Sequence, residues 1–209
     1  MPTGGFQAEP EMLSAFDPRG DLFRAGVGLL FERLGGHAHA SPKISRPANA
    51  AIVRMASQRC SPALAEEPGR FLLAVETYYA LIVKLATLML LGQDGRKCPP
   101  EIFAGRGSWR DVLRCMESGQ LGESLGVRGF PETPQYAWYL DAWEDRLDRW
   151  VDDAVRTLAT DRLAGCSADP AAGADLFGGF YQSLLPKQVR HGLGEHYTPI
   201  WLADHVLDS

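Results

Sequence analysis

This 209-residue chain has only four cysteines, Cys60, Cys98, Cys115 and Cys166, and no two of them form a C-x-x-C pair. That spacing argues against a zinc site and implies no disulfide framework. It predicts reduced, mostly buried thiols. The opening residues "MPTGGFQAEP" lack a basic region followed by an apolar run. No signal peptide is expected, and the expected compartment is the cytoplasm. No stretch alternates apolar and polar residues over a useful strand length, and no internal repeat is present. The expected fold class is therefore all-α.

Positive charge is also short. Acids number 26 against 21 Lys and Arg, for a net charge of −5, so the whole chain carries no signature of nucleic-acid binding. A long uncharged apolar run is missing too. The most apolar segment, "GRFLLAVETYYALIVKLATLMLLGQDG" (69–95), contains Glu76 and Lys84. Two ionisable groups inside a lone membrane span are costly, so the segment is expected to be a helix buried in a bundle, with no membrane partner. Ser/His/Asp catalysis has no local motif. The histidines His37, His39, His191, His196 and His205 are scattered and expected at the surface. No metal site is implied.

What is present is helical periodicity. Residues 1–16 read as a loose N-terminus and 17–189 as a helical module. A helix is expected over 17–36, with Leu22, Phe23, Leu29, Leu30 and Leu34 near one face and Gly35-Gly36 as its stop. "HAHASPKISRPAN" reads as a loop, 50–60 as a short helix, and 108–118 as another. Trp143, Leu147, Trp150, Ala154 and Leu158 mark a long amphipathic helix. Leu176, Phe177, Phe180, Tyr181, Leu184 and Leu185 mark one more, stopped near Pro186. The five tryptophans, Trp109, Trp138, Trp143, Trp150 and Trp201, are expected in the core and at interfaces.

Charge is unevenly spread. Residues 33–65 carry Arg33, Lys43, Arg46, Arg54 and Arg59 and no acid, whereas 141–162 is acid-rich. A polyanion would favour the N-terminal half, with Lys43, Arg46, Arg54 and Arg59 as candidate contacts to DNA phosphates. The plain alternative is an ordinary solvated surface.

The last residues carry the most specific signal. Thr198-Pro199 is a good helix start: threonine caps an orphan N–H, and proline at the first helical position has no N–H to satisfy. Trp201, Leu202, His205 and Val206 fall on one face of the helix expected from 198 to 209. From Leu176 to Leu207 the chain resembles the entry to the catalytic domain of SAM-dependent DNA adenine-N6 methyltransferases of the large restriction-modification and phage-defence type. The family form "F-x-x-x-Y-x-x-L-x-P-x-x-x-R" is met by Phe177, Tyr181, Leu184, Pro186 and Arg190. The form "L-G-E-[YFH]-Y-T-P-x-W-L-A" is met by Leu193, Gly194, Glu195, Tyr197, Thr198, Pro199, Trp201, Leu202 and Ala203.

The resemblance implies that Tyr197, Thr198 and Pro199 lie against the methionine end of S-adenosyl-L-methionine. A capped helix N-terminus suits a carboxylate there. It also implies two further loops, of the types "D-P-x-C-G-S-G" and "N-P-P-[YF]", after the Tyr-Thr-Pro element. Neither follows here. "DPAAGAD" (169–175) comes before that element and reads as an inter-helix turn, and "CPPE" (98–101) does not fit the adenine loop. Residues 190–209 are thus expected to begin a methyltransferase domain of α/β fold whose remainder is missing or separate. A shortened gene product, an expressed fragment and one piece of a split enzyme all satisfy this. The expected role is to brace the catalytic domain and contact DNA, without catalysis by this chain alone. The rival expectation is a non-enzymatic helical scaffold whose C-terminal helix docks on a partner.

Overall fold

The computed structural model describes residues 14–36, 44–93, 107–124, 136–160 and 170–194. Among them are eight α-helices and no strand, so the fold is all-α. The helices are α1 (Asp21–Arg33), α2 (Arg46–Arg59), α3 (Pro68–Gln93), α4 (Trp109–Glu117), α5 (Gln120–Ser124), α6 (Asp145–Thr160), α7 (Pro170–Leu184) and α8 (Lys187–Gly192). Short 3-10 turns stand at Ser14–Phe16, Leu34–Gly36, Pro62–Glu66 and Trp138–Leu140.

α3 is the hub. It is the longest helix among the described residues, and α1, α2, α6 and α7 all pack on it. Phe71, Leu72, Val75, Tyr78, Leu81, Ile82, Leu85 and Leu88 are buried along it. The stretch Pro68–Met89 is long and apolar enough to cross a membrane, with a mean hydropathy of 1.6 in its most apolar 18-residue window, yet 67% of that window is buried inside the bundle. A helix covered by its own chain is hydrophobic on most sides for that reason.

The charges within α3 are compensated. Lys84 is buried and forms an ion pair with Glu117 at the end of α4, whose side chain is 4% exposed. Tyr139 donates to the same carboxylate at 2.6 Å. Burial, and then the neighbouring Glu117 charge, push the Tyr139 phenol far above its usual range, so it stays a donor. Trp138 Nε1 donates to Thr77 Oγ1 at 3.0 Å, and the Tyr136 hydroxyl to Glu76 at 3.3 Å. These bonds pin the 136–140 segment against α3.

α1 crosses α3 with Phe23, Val27, Leu30 and Leu34 buried, while Leu22 is only half-buried. Gly26 lets α6 approach closely: a Cβ there would sit 2.5 Å from the Trp150 ring. Trp150 Nε1 donates to Leu22 O at 3.0 Å across the same seam. Arg33 with Glu144, and Arg146 with Glu32 at 2.9 Å, close the polar rim. Trp138 and Trp150 are buried, and Trp109 and Trp143 pack against the core from its edge, as expected of core tryptophans. Trp201 lies outside the described residues.

Four boundaries differ from the sequence reading. α1 spans Asp21–Arg33, not 17–36, because 17–20 form a turn and Gly20 is the N-cap. α2 starts at Arg46, not at 50, because Pro47 occupies the first turn, where its missing N–H costs nothing. The long amphipathic helix starts only at Asp145, so Trp143 precedes it. The N–H groups of Leu147 and Asp148 bond back to Glu144 O. "PAAGAD" is helical: these residues form the first turns of α7, not an inter-helix turn.

Candidate functional site

Two features that stand far apart in the sequence meet on one side of the bundle. The first is α2, which carries the acid-free basic stretch. The second is α8, which leads into the Tyr-Thr-Pro element.

α2 is amphipathic in a simple way. Ala48, Ile52, Met55 and Ala56 face inward. Arg46, Ala50, Arg54, Ser57 and Gln58 are exposed. Arg59 follows Arg54 by five residues, so it points about 140° further round the helix. It is half-buried and lines a cavity of about 130 Å³ together with Asp17, Arg19, Met55, Ser183 and Pro186. The basic stretch is therefore not a single face. Arg33 is engaged by Glu144, Arg59 borders the cavity, and Arg46 and Arg54 look outward. Lys43 lies outside the described residues.

α8 is short because proline precedes it and glycine ends it. Pro186 is its N-cap, and the carbonyl of Pro186 accepts from Val189 N at 2.8 Å. Val189 is its buried residue. At one end Pro186 shares the cavity with Arg59. At the other, a Cβ on Gly192 would lie 2.4 Å from Ala48 Cβ and 2.9 Å from Ser45 Oγ. α8 thus runs antiparallel to α2, and the small residues Ala48 and Gly192 set how closely they pack.

The residues that carry the family resemblance have visible structural tasks where they are described. The carbonyl of Phe177 accepts from the Tyr79 hydroxyl at 3.2 Å. The ring of Tyr181 lies 4.9 Å from that of Tyr79. Leu184 is buried, and Arg190 Nε donates to Leu185 O at 3.3 Å. Leu193 caps α8 and packs against the core. Gly194 then turns with φ +78°, and its N–H bonds to His191 O at 3.2 Å. That left-handed conformation is readily adopted by glycine and strained for a residue with a Cβ. It ends α8 with a sharp turn of the backbone. Tyr197, Thr198 and Pro199, and the helix expected over 198–209, lie outside the described residues. So does the 98–101 segment.

Among the described residues no group of three or more His, Cys, Asp and Glu is placed to hold a metal ion. His191 is exposed, and the other four histidines fall outside the described residues. Cys60 is half-buried, and burial pushes its thiol up to about 11 against a smaller opposing pull from Arg24. It is a protonated thiol at neutral pH, unsuited to nucleophilic work. Cys115 is exposed, contrary to the expectation of burial, because it lies on the outer face of α4. Cys98 and Cys166 are not among the described residues. The cavity of about 130 Å³ beside Arg59 is well below the size of a site that encloses a nucleoside cofactor.

Family models, curated proteins and solved structures contain no match to this chain.

Proposed function

We propose that this chain is the N-terminal helical part of a SAM-dependent DNA adenine-N6 methyltransferase of the restriction-modification or phage-defence type. The single observation that carries the reading is the run Leu193, Gly194, Glu195, Tyr197, Thr198, Pro199, Trp201, Leu202, Ala203. The structural tasks of Tyr181, Leu184, Arg190 and Gly194 support it, because they tie α7 and α8 to the bundle immediately before that run.

In this reading the helical bundle braces a catalytic domain of α/β fold. S-adenosyl-L-methionine supplies an activated methyl group for the N6 of an adenine turned out of the duplex. Tyr197 would supply an aromatic wall at the cofactor's methionine end. Thr198 would offer its hydroxyl, and the helix expected from Pro199 would present free N–H groups to a carboxylate. The chain provides binding and orientation, and the transfer itself belongs to the catalytic domain.

The test is genetic and chemical. The gene that encodes this chain is deleted in its native cell, and N6-methyladenine is mapped along the genome. The expected result is loss of methylation at one recognition sequence, restored by a plasmid copy. An unchanged methylation map overturns the reading and favours a helical scaffold protein.

A further inference from the structure

Most arginines among the described residues are engaged. Arg19, Arg24, Arg33, Arg70, Arg114, Arg146 and Arg156 are each ion-paired with a carboxylate, and Arg110 and Arg190 donate to backbone carbonyls. Arg46, Arg54 and Arg59 have no ion pair or hydrogen bond among the described residues, and neither has Lys187 at the start of α8. Arg149 is in the same state, but it stands on α6 among Asp145, Asp148, Asp152 and Asp153. α2 and α8 contain no acid at all. In a chain with a net charge of −5, two packed helices bearing Arg46, Arg54, Arg59, Lys187 and Arg190 and no acid form a local reversal of sign.

We propose that the outer face of α2, the side turned away from α8, is a docking face for the phosphate backbone of duplex DNA, with Arg46 and Arg54 as the leading contacts. This deepens the DNA-acting role proposed above by naming the surface that meets the duplex.

Charge, shape and composition all support that occupant. Arg46 and Arg54 are eight residues apart, about 12 Å along the helix, and both are exposed. Between and beside them stand Ala50, Ser57 and Gln58, so the guanidinium groups rise from a low, polar ridge. The 14 residues of α2 extend for about 20 Å, comparable with the axial rise of about six base pairs. Neither helix contains Phe, Tyr or Trp, and α2 itself has no ring at all outside Pro47. The outer face of α2 therefore has no aromatic platform on which unpaired bases could stack, which favours a duplex over a single strand. The low ridge also lacks the apolar anchors of a protein–protein hot spot, which disfavours an acidic protein.

Two acids stand around the C-terminal end of α2: Asp17 lines the same cavity as Arg59, and Glu66 ends the turn that follows the helix. They partly offset Arg59. The weight of the interaction falls on Arg46 and Arg54. Arg190 is already held by Leu185 O and plays a lesser part.

The experiment uses the whole chain and a labelled duplex of about 20 base pairs, followed by fluorescence anisotropy between about 50 and 200 mM salt. Binding should weaken as salt rises, with a log–log slope of about −3 to −4, as expected for three or four phosphate contacts. Arg46→Glu with Arg54→Glu should weaken binding at least about tenfold and make the slope shallower by about two. Arg149→Glu should change it by less than about threefold. Circular dichroism checks that each variant keeps its helix content, which exposed sites should permit. Absence of binding at low salt, or full binding by the double variant, overturns the proposal. So does a poly-glutamate peptide that displaces the duplex at equal charge, which would point to an acidic protein partner. A single strand that binds as tightly as the duplex overturns the choice of duplex. Because the readout is binding, it can fail while the adenine-methylation map still changes on gene deletion, and it can succeed if that map does not change.

Discussion

Gly26 and Gly28 stand two residues apart in α1, and their surroundings make opposite demands. Gly26 is buried where Trp150 crosses: an added Cβ would lie 2.5 Å from the ring, which is itself fixed by its bond to Leu22 O. Gly28 has nothing within 4 Å of the same point. Alanine should therefore split the two sites. Gly28→Ala should stabilise the protein by about 0.5–1 kcal/mol, since glycine in a helix interior costs about that much relative to alanine. Gly26→Ala gains the same propensity but must push α6 away from α1, and overpacking of this kind costs about 1–3 kcal/mol. Urea midpoints of the two variants measure the difference. Stabilisation by both would mean that the α1–α6 seam has room to give. No pattern in the sequence separates these glycines, because the partner that distinguishes them lies more than a hundred positions away.

The same distance limits how far the elements could be read in advance. α1, most of α6 and the C-terminal half of α7 were legible because apolar residues recur on one face, and α3 because its apolar run is long. The start of α2 was hidden by Pro47, which reads as a loop residue until its place in a first turn is known. "DPAAGAD" was hidden by its glycine, although residues 170–175 are helical. The candidate face was half legible. Its bases stood out, but which of them remain unpaired depends on Glu144 and Asp17 arriving from elsewhere in the fold. The approach of α8 to α2 left only a faint trace, the small residues Ala48 and Gly192. That trace supports a test at the level of the element. Gly192→Ala places a methyl group 2.4 Å from Ala48 Cβ, so α8 must lift from α2. The expected cost is about 1–3 kcal/mol in urea unfolding, with α1 and α3 unaffected. A second substitution, Ala48→Gly, should recover part of the loss, because it removes the atom that is struck. No recovery would mean that the strain lies elsewhere.

At the scale of the molecule, the bundle is organised around one helix and fades toward its rim. α3 is enclosed by α1, α2, α6 and α7, and its buried side chains run from Phe71 to Leu88. Its central amides can exchange hydrogen only when most of the bundle opens. α8 is the opposite case: six residues, with Val189 as its buried side chain, held chiefly by α2. Such an element opens locally, at a free energy below that of global unfolding. Native-state hydrogen exchange should therefore show amides 72–88 as the slowest group and those of 189–193 faster by at least about tenfold. A ligand that binds only the docked form shifts that local equilibrium by mass action. Duplex DNA held by Arg46 and Arg54 fixes α2, on which α8 docks, and should accordingly slow exchange in 189–193 while leaving the middle of α3 unchanged. If α8 already exchanges as slowly as α3, the two open as one unit, and DNA contact has no local equilibrium to shift. If DNA slows α3 and α8 alike, it stabilises the bundle as a whole. The difference between these outcomes decides whether contact at Arg46 and Arg54 can influence how firmly the chain is held on its way to Tyr197, Thr198 and Pro199.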